Sequence, residues 1–121
     1  MQKPNYTLEQ ITDQPVWAVQ VDGKQVGKVW LELEDTDFLA APSLHVEFVD
    51  ESYVGGDVES GVIKDTIRYA YGNLPYAELY SRHEVSDTQR GVVLRKLGFE
   101  PDDKPYKDDT EIEWQNVKLV L

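Results

Sequence analysis

Tyr53-Val54-Gly55-Gly56-Asp57-Val58-Glu59-Ser60-Gly61 joins an alternating apolar segment, Leu44-His45-Val46-Glu47-Phe48-Val49, to a stretch with helical spacing. A loop that leaves a strand and opens a helix is a common phosphate site. Glycines let backbone N–H groups approach the anion, and the helix N-terminus adds favourable partial charge. Asp57 and Glu59 place two carboxylates in that loop. A phosphate cradle with built-in anions reads as a remodelled site or a lost one.

Downstream of the loop, Val58, Val62, Ile63, Ile67, Ala70 and Leu74 recur at helical spacing, so a helix is expected from about Val58 to Asn73, stopped by Pro75. Tyr76 to Arg82 reads as the next strand. Strand, helix and strand make a βαβ unit, which implies a parallel pair with a right-handed crossover. Ser86 with Gln89 fits a capping box for a second helix, Gly98 fits its C-terminal cap, and Val93, Leu94 and Leu97 supply its apolar face. Tyr106 to Leu121 reads as a closing hairpin or bent strand. Its alternation changes phase between Trp114 and Val117, which suggests a bulge near Gln115-Asn116.

Upstream, Val16 to Val21 and Val26 to Leu33 flank Asp22-Gly23, a strong two-residue hairpin signal. Asp35 to Pro42 reads as a loop, and residues 1–14 are polar without clear pattern. The expected architecture is one α/β (α+β) domain over residues 1–121, with an N-terminal antiparallel hairpin, a βαβ unit in a mixed central sheet and C-terminal strands.

Composition narrows the function. The 121 residues carry a net charge of −11, which disfavours nucleic acid and anionic membrane surfaces and leaves solubility or a basic partner as its meaning. Zero cysteines remove disulfides, thiolate metal sites and a Cys nucleophile. His45 and His83 alone are too few for a histidine metal centre. No apolar run reaches transmembrane length and the first residues lack a signal-peptide core, so a cytoplasmic location is expected.

Two segments resemble the GNAT superfamily of acyl-CoA N-acyltransferases. Asp50 to Ala70 is similar to the loop and helix that hold the CoA pyrophosphate in that family. Ser86 to Phe99, closing Leu94-Arg95-Lys96-Leu97-Gly98-Phe99, is similar to its second motif. Ser81-Arg82-His83, Tyr106-Lys107-Asp108 and Glu113-Trp114-Gln115-Asn116 look like the branch of ribosomal-protein N-terminal acetyltransferases. The resemblance implies acetyl-CoA as cofactor and acetyl transfer to a primary amine, of a small molecule or a peptide. On this pattern backbone groups of Val54, Gly55, Gly56, Asp57, Val58, Glu59 and Ser60 hold the pyrophosphate. Phe48 lies on the strand that touches the thioester, and Asp87 stands at the start of the second helix.

The chain departs from that pattern. The family loop reads Gln or Arg, two residues, Gly, one residue, then Gly or Ala. Counted back without gaps from Ser60-Gly61-Val62-Ile63, the Arg position is Val54 and the glycine positions are Asp57 and Glu59. A register shifted by one residue puts Gly56 and Val58 there instead. In the second motif the family's Asn, Ser or Ala, and Tyr positions read Asp87, Arg90 and Leu94. The 14 residues before Pro15 are too few for the family's preceding strand and two acceptor-side helices, so a reduced N-terminal helical region is expected.

Two unit charges about 5 Å apart repel by ~0.8 kcal/mol in water and ~3 kcal/mol at an effective dielectric of 20. Two acids facing a pyrophosphate therefore weaken CoA binding by orders of magnitude. The opposite reading makes Asp57 the helix N-cap and Glu59 a first-turn acid, so that a carboxylate does internally what a bound phosphate would do. Candidate catalytic residues are Glu47 as base, His83 near the cleft mouth as a second base, and Tyr80 as proton donor. Each also has a structural reading as a solvated or packing residue. Trp17, Trp30 and Trp114 read as packing. The alternative to an acetyltransferase is a catalytically inactive GNAT-fold binding module, and a sheet edge offers a homodimer contact.

Overall fold

The computed structural model describes residues 6–11, 15–32, 42–74 and 77–121. The expected loop over 35–41, the strand end at Leu33, and Pro75 and Tyr76 lie outside them.

Among the described residues eight strands form one mixed sheet, with β1 Thr7–Gln10, β2 Val16–Val21, β3 Lys24–Glu32 and β4 Ser43–Phe48 as an antiparallel run. Helix α1, Asp57–Asn73, then crosses to β5, Glu78–Glu84, which pairs parallel to β4. Helix α2, Thr88–Lys96, leads to β6 Glu100–Pro101, β7 Tyr106–Lys107 and β8 Glu113–Val120. Strand order is β1-β2-β3-β4-β5-β8-β6, with β7 also on β8. The expected mixed sheet with a βαβ unit is present.

The β2–β3 turn follows directly from its sequence: Asp22 and Gly23 take φ of 54° and 79°, the doubly left-handed geometry that Asp-Gly favours. The α1 stripe is also as expected. Val62, Ile63 and Ala70 are buried, while Val58, Ile67 and Leu74 pack against the core from its rim. Helix α2 ends in a Schellman motif, in which Phe99 N–H donates to Leu94 O (3.0 Å) and Gly98 N–H to Arg95 O (3.1 Å), with Gly98 at φ 105°.

Residues 7–10, polar and without clear pattern in the sequence, form strand β1, held by its ladder to β2 and by Leu8 packing at the core's rim. Three local expectations need correction. Gly56, not Asp57, is the N-cap of α1, and Asp57 is its first helical residue. Asp87, not Ser86, caps α2, its carboxylate accepting from Arg90 N–H at 3.1 Å. The β8 register against β5 runs unbroken from Glu78↔Val120 to Glu84↔Trp114, so there is no bulge at Gln115-Asn116. The irregularity lies in the facing chain, between Pro101↔Val117 and Tyr106↔Trp114.

Strand pairing assigns the faces. Trp17, Val29, Leu31, Leu44 and Val46 share the face that buries the core with α1, and Trp17 meets Tyr69 edge-on at 4.8 Å. Lys28, Trp30, His45 and Glu47 share the opposite face. Five residues, 11–15, separate β1 from β2. No helix among the described residues is long and apolar enough to cross a membrane.

Candidate active site

The loop opening α1 is built by a 3-10 turn, Glu51–Tyr53, capped by the Asp50 carboxylate accepting from Ser52 N–H at 2.9 Å. That bond holds the Asp50 carboxyl below its usual range. Gly55 follows at φ 80°, and a Cβ there would lie 2.8 Å from Gln89 Cβ, so α2 presses directly on the loop. Only glycine meets both conditions.

Glu59 occupies the inside of this turn. It is completely buried, and its Oε1 accepts the Gly55 N–H at 3.2 Å. Its Oε2 accepts from Arg90 Nε at 3.2 Å and Nη2 at 3.0 Å. Asp87 holds the backbone of Arg90 by capping α2, and so helps aim that guanidinium. Glu59 and Arg90, one in the loop and one in the second helix, are therefore partners. Phe48 and Val58 pack against the core, with the Phe48 ring 5.7 Å from Tyr53. Val54 and Ser60 are half-buried, Asp57 is exposed, and Ser60 N–H donates to Gly56 O within the helix start.

The Gly55 N–H, a donor of the kind a phosphate would use, already has a carboxylate acceptor. That carboxylate is fixed in place by a cation.

A cleft of about 210 Å³ is lined in part by the same Arg90 that pairs with Glu59. The β4–β5 ladder registers only at Ser43↔Tyr80, reinforced by Tyr80 N–H to Pro42 O and Ser81 Oγ to Leu44 O, both at 2.9 Å. Beyond these contacts the strands part. His45 and Glu47 line one wall, Arg82 and Trp114 the other, and Arg90 and Leu94 of α2 close the gap. The gap lies at the C-terminal end of the parallel pair, where open α/β sheets place ligands.

Glu47 is exposed and makes no ion pair among the described residues, so its carboxylate is available to an amine. Arg82 is committed: its guanidinium stacks 4.1 Å over Trp114 and donates to Tyr106 Oη at 3.0 Å. His45 stacks on Trp30 at 5.2 Å with Nε2 2.9 Å from Glu32. Trp30 and Trp114 thus sit against cationic or aromatic partners on the open face, while Trp17 is the one in the core.

His83 is not at the mouth of this cleft. Parallel pairing of Ser43 with Tyr80 gives Glu47 the face of Tyr80 and Arg82, and turns His83 to the helix side, into a second pocket. Tyr80 shares the face of Glu47 but stands at the closed end of the pair. Its hydroxyl lies 3.5 Å from Glu78, and desolvation raises its pKa. Of the three candidate catalytic side chains only Glu47 lines the cleft. Arg82 and Trp114 were present in the sequence as motif neighbours, without a signal for the stack they form. No cluster able to hold a metal ion occurs among the described residues.

The fold recurs in solved acetyltransferases. A spermidine N-acetyltransferase from Vibrio cholerae superposes with a TM-score of 0.74 at 13% identity, covering 87% of this chain and 63% of that one. A GNAT-family acetyltransferase from Bacillus anthracis gives 0.71 at 12%, covering 88% and 66%. A ribosomal-protein-S5-alanine acetyltransferase from Vibrio fischeri gives 0.73 at 16%, covering 87% and 60%. At these identities the likeness is one of fold, and this chain spans less than two thirds of the length of these neighbours. No family model and no curated protein matches the sequence.

Proposed function

We propose that this protein is an amine-binding module on a GNAT fold whose CoA pyrophosphate cradle is closed from within by Glu59. One observation carries the reading: the buried Glu59 carboxylate takes the Gly55 N–H and the Arg90 guanidinium, which an incoming phosphate would need. A phosphate must displace an anion that is already paired, and a like charge beside it costs ~3 kcal/mol at 5 Å in a dielectric of 20. Binding of CoA is then weakened by two or more orders of magnitude. Glu47, unpaired on the cleft wall, is the anchor for a primary amine of a small molecule or a basic peptide, in keeping with the net charge of −11. A cytoplasmic setting suits such a partner.

Calorimetric titration with CoA and acetyl-CoA tests this directly. No saturable binding below millimolar concentration is expected, and a micromolar Kd overturns the closed cradle.

The open cleft favours a second reading, acetyl transfer from acetyl-CoA to a primary amine with Glu47 as proton acceptor. Thiol release from acetyl-CoA in the presence of amines, lost in Glu47→Gln, would establish it in place of the first.

A further inference from the structure

The helix-side pocket that receives His83 encloses about 180 Å³, and its walls carry a complementary set of polar groups. His83 Nδ1 lies 2.7 Å from Glu84 O. A carbonyl only accepts, so Nδ1 bears the proton, and in the tautomer this contact selects Nε2 is the acceptor. Gln115 uses its amide nitrogen on Asp103 O (3.1 Å) and Asn116 O (2.8 Å), which leaves Oε1 as a second acceptor. Arg95 makes no ion pair among the described residues and supplies a cation. Phe99 and Val117, both buried, give the pocket an apolar floor.

Two hydrogen-bond acceptors, one guanidinium and an apolar floor define a ligand with an N–H donor, an anion and a hydrocarbon body. We infer that this pocket binds a small apolar amino acid, with its carboxylate on Arg95, its ammonium on Gln115 Oε1 and His83 Nε2, and its side chain over Phe99 and Val117. The volume is right for one side chain, since a cavity of about 150 Å³ already accepts benzene. Gly91 packs against the same ring: a Cβ there would lie 3.0 Å from His83 Cε1, so alanine would shift the imidazole by a few tenths of an ångström. The inference does not rest on whether CoA binds, because the pocket shares no lining residue with the Glu47 cleft.

Amide NMR titration with L-leucine is the test. Saturable shifts are expected at His83, Gly91, Arg95 and Gln115. Leucinamide, which lacks the carboxylate, and isocaproate, which lacks the ammonium, should each bind about tenfold or more weakly, the usual weight of a charge-assisted hydrogen bond. Arg95→Gln, at an exposed position, should keep the native spectrum and lose about tenfold in affinity. Gly91→Ala, which favours the helix, should keep the fold and weaken binding. An absence of shifts at tens of millimolar, shifts confined to the Glu47 cleft, or equal binding by the Arg95 variant each overturns the assignment.

Discussion

Glu59 and Arg90, 31 positions apart, meet at 3.0 Å with the carboxylate fully buried, and so tie the loop that opens α1 to the first turn of α2. Neither side chain has another partner of opposite charge among the described residues. The consequence for stability is asymmetric: removing one partner strands a buried charge, whereas removing both removes the desolvation cost as well.

Glu59→Ala and Arg90→Ala are each expected to destabilise the fold, the Arg90 change by about 3–5 kcal/mol because it leaves the carboxylate buried without its cation. The double variant should cost less than the sum of the single ones, with a coupling of about 1–3 kcal/mol in a urea-unfolding cycle. Additive effects would mean the pair does not hold the two helices together.

Ligand binding should follow a different order. Glu59→Gly frees the Gly55 N–H and the Arg90 guanidinium together, so CoA affinity should rise by about tenfold or more. Arg90→Ser leaves the carboxylate in the cradle and should gain nothing. Calorimetry on the two variants separates a closed cradle from one lost for steric reasons, in which neither change helps.

Three glycines should respond to alanine in three ways. At Gly55, with φ 80° and a Cβ 2.8 Å from Gln89 Cβ, the cost should be about 2–4 kcal/mol from strain and overpacking together. At Gly98, with φ 105° but only the flexible Leu119 Cδ1 nearby at 2.9 Å, about 1–2 kcal/mol is expected. At Gly72, helical and open on all sides, alanine should stabilise by about 0.5–1 kcal/mol. Urea unfolding of the three variants reads the order.

Asp108 organises the β7–β8 turn. Its carboxylate accepts from Thr110 Oγ1 at 2.6 Å, Trp114 Nε1 at 2.8 Å, and the Ile112 and Thr110 amides at 3.1 and 2.8 Å. These bonds, the Thr110 hydroxyl first, lower its pKa to about 2. The folded value lies below the unfolded one near 3.9, so the stabilisation is present above about pH 4 and is lost as pH falls toward 2. Trp114 fluorescence should report this acid transition, and Asp108→Asn should flatten it.

Local chemistry made much of the fold legible in the sequence. Asp22-Gly23 specifies its own turn, Gly98 its own helix end, and the spacing from Val58 to Leu74 its own buried stripe, because each depends on residues within a turn or two. Strand β1 was not legible, since a single apolar residue, Leu8, among polar neighbours makes no pattern and the strand is held by pairing to β2. The α1 cap was misread because Asp57 has the right chemistry for a cap, and only the backbone path decides which residue stands at the boundary.

By itself, then, the sequence determined a mixed α/β sheet with a βαβ unit and marked Asp57, Glu59, Asp87 and Arg90 as departures from the pattern that its loop and second motif resemble. Tertiary structure decided what those departures do. Glu59 and Arg90 are too far apart in the chain for any local rule to pair them, and only the packing of α2 on the loop brings the guanidinium to the carboxylate. It likewise decided that Glu47 and His83 serve different pockets. Side-chain faces alternate along each strand, but which face of β5 joins which face of β4 is fixed by the single parallel register of Ser43 with Tyr80.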